Sequence, residues 1–123
     1  MSQTPKPLIR RAEEIEYEPV AASDGMSKGV LLNESHGAPH FGIRRFTLEP
    51  GASVPRHTNE VEHEQYVLEG EYTVGIGDEE FTVSAGDSLL IPAGVVHWYE
   101  NGDQSGAFLC SVPNGNDEIE LVD

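Results

Sequence analysis

The chain has 123 residues, enough for one domain with a core of its own. Its 22 Asp and Glu against 7 Lys and Arg give a formal net charge of −15, which repels nucleic acid and anionic lipid and argues against both as partners. No apolar run reaches the ~18 residues of a membrane-spanning helix, Met1-Ser-Gln-Thr-Pro-Lys6 lacks a secretory pattern, and a cytoplasmic protein is expected.

Thirteen Gly and eight Pro, with Val and Ile gathered in short runs, point to an all-β protein rich in turns. Residues 1–40 read as an N-terminal arm and first strands, with one short strand near Leu8-Ile9 and a clearer one over Gly25–Leu32. Residues 41–113 carry the barrel, starting with a strand over Phe41–Leu48. Further strands are predicted at Glu62–Glu69, Glu71–Ile76, Glu80–Val83, Ser88–Ile91, Val95–Glu100 and Ala107–Val112. Turn chemistry separates them, as in Gly77-Asp78, Ala85-Gly86-Asp87 and Pro92-Ala-Gly94. Residues 114–123 form an acidic tail, loose or laid along the surface. Helical periodicity and repeats are absent, so the choice lies between a sandwich and a barrel.

Two segments decide between them. The first is Gly51-Ala-Ser-Val-Pro-Arg-His57-Thr-Asn59-Glu-Val-Glu-His63-Glu-Gln-Tyr-Val-Leu-Glu-Gly70; the second is Gly86-Asp-Ser-Leu-Leu-Ile-Pro92-Ala-Gly94-Val-Val-His97-Trp-Tyr-Glu-Asn101. Their spacing resembles the two motifs of the cupin superfamily. Gly86, Pro92, Gly94, His97 and Asn101 meet every fixed position of the second motif. Gly51, His57 and Gly70 match the first, in which Asn59 replaces a histidine and His63 a glutamate. The resemblance covers about residues 41 to 113 and implies a single-domain double-stranded β-helix, the jelly-roll barrel. It also implies one divalent transition metal per chain, held by His57, His63 and His97.

Strand parity supports the same residues. Side chains alternate with period two, so His57 shares a face with Asn59, His63 with Gln65, and His97 with Tyr99. Asn59 either completes the metal shell with its amide oxygen or hydrogen-bonds a bound water. Three neutral imidazoles leave a divalent ion its full charge, which favours acidified water and anionic substrates. Nitrogen ligation suits Fe, Ni, Cu, Co, Zn or Mn better than Mg or Ca. Gln65 and Tyr99 are candidates behind the metal or beside a substrate. Arg44 and Arg45 are adjacent on one strand, so one points inward, where it either clamps a substrate carboxylate or joins a salt bridge. His36 and His40 read as surface residues, and Trp98 as packing on the outer face or at a subunit contact. Cys110, the only cysteine and hence without a disulfide partner in the chain, reads as a small core residue.

Cupins resembling this chain include dioxygenases, isomerases, decarboxylases, lyases and binding proteins. The expected function is metal-dependent binding of, or action on, a small oxygenated or carboxylated molecule. Its alternatives are a non-catalytic ligand binder or sensor, and a structural metal clip. Apolar residues on both faces of Tyr66-Val-Leu68 suggest a homodimer. Dense carboxylates with only Lys6 and Lys28 as lysines suit either a salt-rich cytoplasm or an ordinary acidic protein.

Overall fold

In the computed structural model, which describes residues 6–115 and 119–122, ten strands hydrogen-bond into a continuous sheet that curls into a jelly-roll barrel. They are β1 (Tyr17–Pro19), β2 (Asp24–Leu32), β3 (Phe41–Thr58), β4 (His63–Glu69) and β5 (Glu71–Ile76), then β6 (Glu79–Ser84), β7 (Ser88–Ile91), β8 (His97–Asn101), β9 (Gly106–Pro113) and β10 (Glu120–Leu121). The path across the sheet runs β6-β5-β8-β3-β9-β4-β7, with β2 and β10 also on β3 and β1 on β2. All pairings are antiparallel. Among the described residues, helix is confined to single 3₁₀ turns at Ala12–Glu14 and Glu34–His36.

Period-two burial sets the barrel interior. In β4, His63, Gln65 and Val67 are buried while Glu64, Tyr66 and Leu68 face out; in β8, His97, Tyr99 and Asn101 are buried. The apolar core gathers Leu48, Val54, Val67, Tyr72, Val74 and Phe108. Each such side chain contributes about 1.5–3 kcal/mol by leaving water. Phe108 stacks on Phe46 at 5.0 Å and on Tyr99 at 5.4 Å between ring centroids.

Two expectations change. No strand forms at Leu8-Ile9, and Ile9 is 70% exposed. The arm pairs instead through Tyr17–Pro19, because Gly29 leaves room for the Tyr17 ring; a Cβ at Gly29 would lie 2.7 Å from it. The strand beginning at Phe41 does not stop at Leu48 but continues to Thr58. Glu49-Pro50-Gly51 looks like a break, yet Gly51 donates its N–H to Gly102 O at 2.7 Å and the chain bends on, exchanging β9 for β8 as its neighbour. The tail is laid along β3, with Glu120 paired to Thr58 and Leu121 to His57. The parts of the expected arm and tail at 1–5, 116–118 and 123 lie outside the described residues.

The motif glycines and Asn101 build the frame. Gly86 N–H donates to Val67 O and Gly94 N–H to Asn59 O, each at 2.9 Å, tying the second motif onto the first. The Asn101 amide donates to Glu49 O at 2.9 Å and Gln104 O at 2.7 Å, holding the bend of β3 against the loop after β8.

Candidate metal centre and its cavity

The curl of the sheet encloses a cavity of about 740 Å³, and His57, Asn59, His63 and His97 all line it. Each is more than nine-tenths buried. His57 and His97 are direct cross-strand partners on β3 and β8, with ring centroids 4.0 Å apart. His63 comes from β4 on the opposing part of the sheet, and its ring lies 5.8 Å from that of His97. The parity argument therefore holds for position: three strands bring the imidazoles to one cavity.

Tautomer follows from geometry. His57 Nδ1 lies 2.8 Å from Pro55 O, and His97 Nδ1 lies 3.0 Å from Val95 O. A carbonyl only accepts, so each Nδ1 carries a proton, and in the neutral ring Nε2 is the nitrogen left to ligate. Backbone-anchored, neutral imidazole is the form in which histidine ligates metal. His63 instead hydrogen-bonds Cys110. Among the described residues, no group of three or more His, Cys, Asp or Glu stands ready-made to hold an ion. The donor set fits a borderline transition metal in its chemistry, while the rings are not drawn into a closed shell.

The inward arginine is Arg44, only 5% exposed, and it lines the cavity. Its Nη2 donates to Cys110 Sγ at 3.3 Å, and its guanidinium sits 5.3 Å from the Phe46 ring centroid. Arg45 points out, where Nη1 donates to Tyr17 OH at 3.3 Å, so it takes no part in the cavity. Gln65 Nε2 donates to Tyr99 OH at 2.7 Å. Burial raises the Tyr99 pKa, opposed by that hydrogen bond, so the phenol stays neutral and retains a proton to donate. Buried Gln65 Oε1 and Tyr72 OH have no hydrogen-bond partner among the described residues.

Sequence reasoning placed Cys110 in the core and missed its company. The thiol is fully buried, yet it sits among Arg44, Gln65 and His63. Burial alone would raise its pKa; the His63 hydrogen bond and the charges of His63 and Arg44 outweigh this and lower it. The missing signal was register: Arg44 pairs with Cys110 across β3 and β9, and Cys110 with Gln65 across β9 and β4. His36 closes the 3₁₀ turn, its Nδ1 accepting from Asn33 N–H at 3.1 Å, and His40 lies beside Phe41; neither lines the cavity. Trp98 packs over Gly75, where a Cβ would fall inside the indole.

A jelly-roll barrel with inward histidines on β3, β4 and β8 is the architecture of the family described as the cupin domain. The profile of that family matches residues 44–112, and the chain belongs to it. Among curated proteins, it is 34% identical over 68 residues to mannose-1-phosphate guanylyltransferase of Salmonella muenchen, covering 54% of this chain and 14% of that one. It is 30% identical over 102 residues to the xanthan biosynthesis protein XanB of Xanthomonas campestris pv. campestris (strain B100), covering 81% of this chain and 20% of that one. The chain thus spans a fifth or less of these relatives. Among solved structures, it is similar to the polyketide cyclase RemF of Streptomyces resistomycificus (TM-score 0.84, 28% identity, 94% of this chain and 87% of that one). It is also similar to a protein described as a predicted oxalate decarboxylase from Thermotoga maritima (TM-score 0.72, 28% identity, 94% and 100%). A cupin-2 domain from Rhodospirillum rubrum shares the fold (TM-score 0.81, 21% identity, 98% and 84%). Among the described residues, no helix is long and apolar enough to cross a membrane.

Proposed function

We propose that this cupin binds one divalent transition metal through His57, His63 and His97 and uses it to hold, and act on, a small oxygen-rich molecule in the barrel. The observation that carries this reading is the convergence of three buried imidazoles on one cavity, two of them with Nδ1 anchored on backbone carbonyls. Asn59 lines the same end, where its amide can meet either the ion or a ligand oxygen. A bound ion would supply Lewis-acid polarisation of a ligand oxygen. The chain's own residues would do the rest. The Phe46, Phe108 and Tyr99 rings offer an apolar wall, and Tyr99 presents a neutral hydroxyl. Relatives named for a polyketide and for oxalate support an oxygen-rich ligand.

Non-catalytic binding is the second reading. It is favoured by the buried polar groups other than the imidazoles: among the described residues, Arg44, Asn59, Gln65, Tyr72, Tyr99 and Asn101 include no carboxylate base.

The test is metal content. Protein loaded with Fe, Ni, Co, Cu, Mn or Zn and freed of excess ion should retain about one ion per chain for at least one metal. Substituting His57, His63 or His97 with Ala should abolish this in variants that still melt cooperatively. Unchanged stoichiometry in all three variants would place the ion elsewhere. Turnover screening of the loaded protein against enolisable keto acids then separates catalyst from binder.

A further inference from the structure

One polar contact spans the barrel interior. Period-two alternation turns Gln65 of β4 and Tyr99 of β8 inward, although these two strands do not pair with each other. Gln65 stands between His63 and Val67 on the inner face, where an amide destabilises the core unless its polar atoms are satisfied. Its Nε2 donates to Tyr99 OH at 2.7 Å and lies 3.9 Å from Cys110 Sγ, so both amide protons have acceptors. The other end of the amide does not. Gln65 Oε1, in a side chain only 4% exposed that lines the cavity, has no hydrogen-bond partner among the described residues. The Tyr99 oxygen accepts from Gln65, and its own proton meets no acceptor among the described residues. The bridge therefore leaves one acceptor and one donor unused, on two side chains that both line the cavity.

We infer that Gln65 and Tyr99 together read a single hydroxyl group on a flat aromatic ligand, which makes the cavity a site for phenols. The inference rests on the proposed binding of a small oxygen-bearing molecule in this cavity, but the pair itself needs no metal. A hydroxyl donates and accepts through one oxygen, so it satisfies both unused positions at once. A carboxylate or an ether only accepts, and leaves Oε1 unmet. The spacing allows the bridge. The oxygen and nitrogen of one amide lie about 2.3 Å apart, which puts Oε1 within about 5 Å of the Tyr99 oxygen when Nε2 is at 2.7 Å. Two ordinary O–H···O bonds of about 2.7 Å each cover that gap. The wall beside the pair favours a flat body. Phe46, Phe108 and Tyr99 line the cavity as a near-parallel series, with 15° and 22° between successive planes. A planar ring stacks on such a wall with large buried area. The Tyr99 ring also lies 5.9 Å from that of His97 and 6.3 Å from that of His57, which keeps the bound ring beside the candidate metal centre.

The probes are phenol, anisole and fluorobenzene, which share one ring but offer a donor and an acceptor, an acceptor alone, and neither of consequence. They are titrated by NMR into protein stripped with a chelator, so that failure here leaves the metal reading untouched. Wild-type protein should bind phenol about tenfold more tightly than fluorobenzene, because two net hydrogen bonds outweigh the greater ease with which fluorobenzene leaves water. A merely apolar cavity gives the reverse order. Tyr99→Phe should lower the phenol-to-fluorobenzene and anisole-to-fluorobenzene affinity ratios by about five- to tenfold, one hydrogen bond each. The near-isosteric Gln65→Leu should lower the first ratio to a similar extent and leave the second unchanged, since anisole has no proton for Oε1. A bridge with a structural role alone would weaken all three probes together and leave both ratios as they were. Only variants that melt cooperatively are compared, and if neither does, the wild-type ranking alone decides. Fluorobenzene binding as tightly as phenol, no phenol binding in stripped protein, or an unchanged phenol-to-fluorobenzene ratio in either folded variant would each overturn the inference.

Discussion

Gly70 closes the first motif at the hairpin between β4 and β5, and its replacement separates two kinds of backbone demand. Its φ is +84°, and a Cβ there would lie 2.5 Å from Ser105 O and 3.0 Å from Gly106 Cα. Gly86 opens the second motif with φ +97° but has nothing within 4 Å of its Cβ position. Alanine at either site incurs the left-handed penalty of about 1–2 kcal/mol. Only at Gly70 must backbone atoms also move, since ordinary contact begins near 3.4 Å; overpacking of this kind adds about 1–3 kcal/mol. Both variants gain equally from a stiffer unfolded chain. Gly70→Ala should therefore be about 2 kcal/mol less stable than Gly86→Ala. With a urea slope of about 1–3 kcal/mol/M, the midpoints differ by roughly 1 M. Unfolding of chelator-treated protein, followed by tryptophan fluorescence from Trp98, measures both and keeps metal content fixed. Equal midpoints with equal slopes would show that Ser105 and Gly106 yield freely and that φ alone makes Gly70 obligatory.

Other expectations follow from the same geometry. Asn59→His should tighten metal binding by about tenfold, since imidazole is the better donor; equal or weaker affinity in a competitive chelation titration would place Asn59 with the ligand. Light scattering at micromolar concentration should give twice 13.4 kDa, because Tyr66, Leu68 and Leu90 leave an apolar outer face at β4 and β7; a value of 13.4 kDa would refute it. With metal content fixed, the melting temperature should rise by about 3–5 °C between ~0.05 and ~1 M potassium chloride as screening shortens, and a flat or falling value would show that the carboxylates ignore one another. Burial raises the pKa of Tyr72 and Tyr99 above 10.0. The folded state then holds protons that the unfolded chain loses, so their stabilising effect is complete below pH 10 and drains away as pH climbs above it. Spectrophotometric titration should show these two phenols ionising only as the fold melts.

The barrel and its histidines were legible because both depend on short-range facts. Gly86, Pro92 and Gly94 punctuate the chain, and period-two parity puts His63 beside Gln65 and His97 beside Tyr99 without knowledge of any partner strand. Parity also required one of Arg44 and Arg45 to face inward, but only packing chose. Gly29 opened the outer face for Tyr17, which then took Arg45. The polar setting of Cys110 depends on the register of β9 against β3 and β4, whose Arg44 and Gln65 lie 66 and 45 residues from Cys110 in the chain, which no local pattern reports. Pro50-Gly51 misled for a related reason. The pair reads as a stop, yet Asn101 at the end of β8 and Gly102 just beyond it catch the bend and carry the strand through it.

β3 supplies eighteen residues to a single strand. Drawn straight it would extend about 60 Å, whereas a domain of this size has a radius of gyration of about 14 Å. It therefore folds over at Gly51 and serves both layers, with β9 along its first half and β8 along its second. Such a strand works as a common spine, and the two layers cannot part without breaking it. Amide hydrogens on β8 and β9 should then exchange together, at the rate of complete unfolding, while those of β1 and β10, each held by a single neighbour, exchange through smaller openings. Chain continuity within β3 would thus make the cavity a property of the whole molecule, present or absent as a unit.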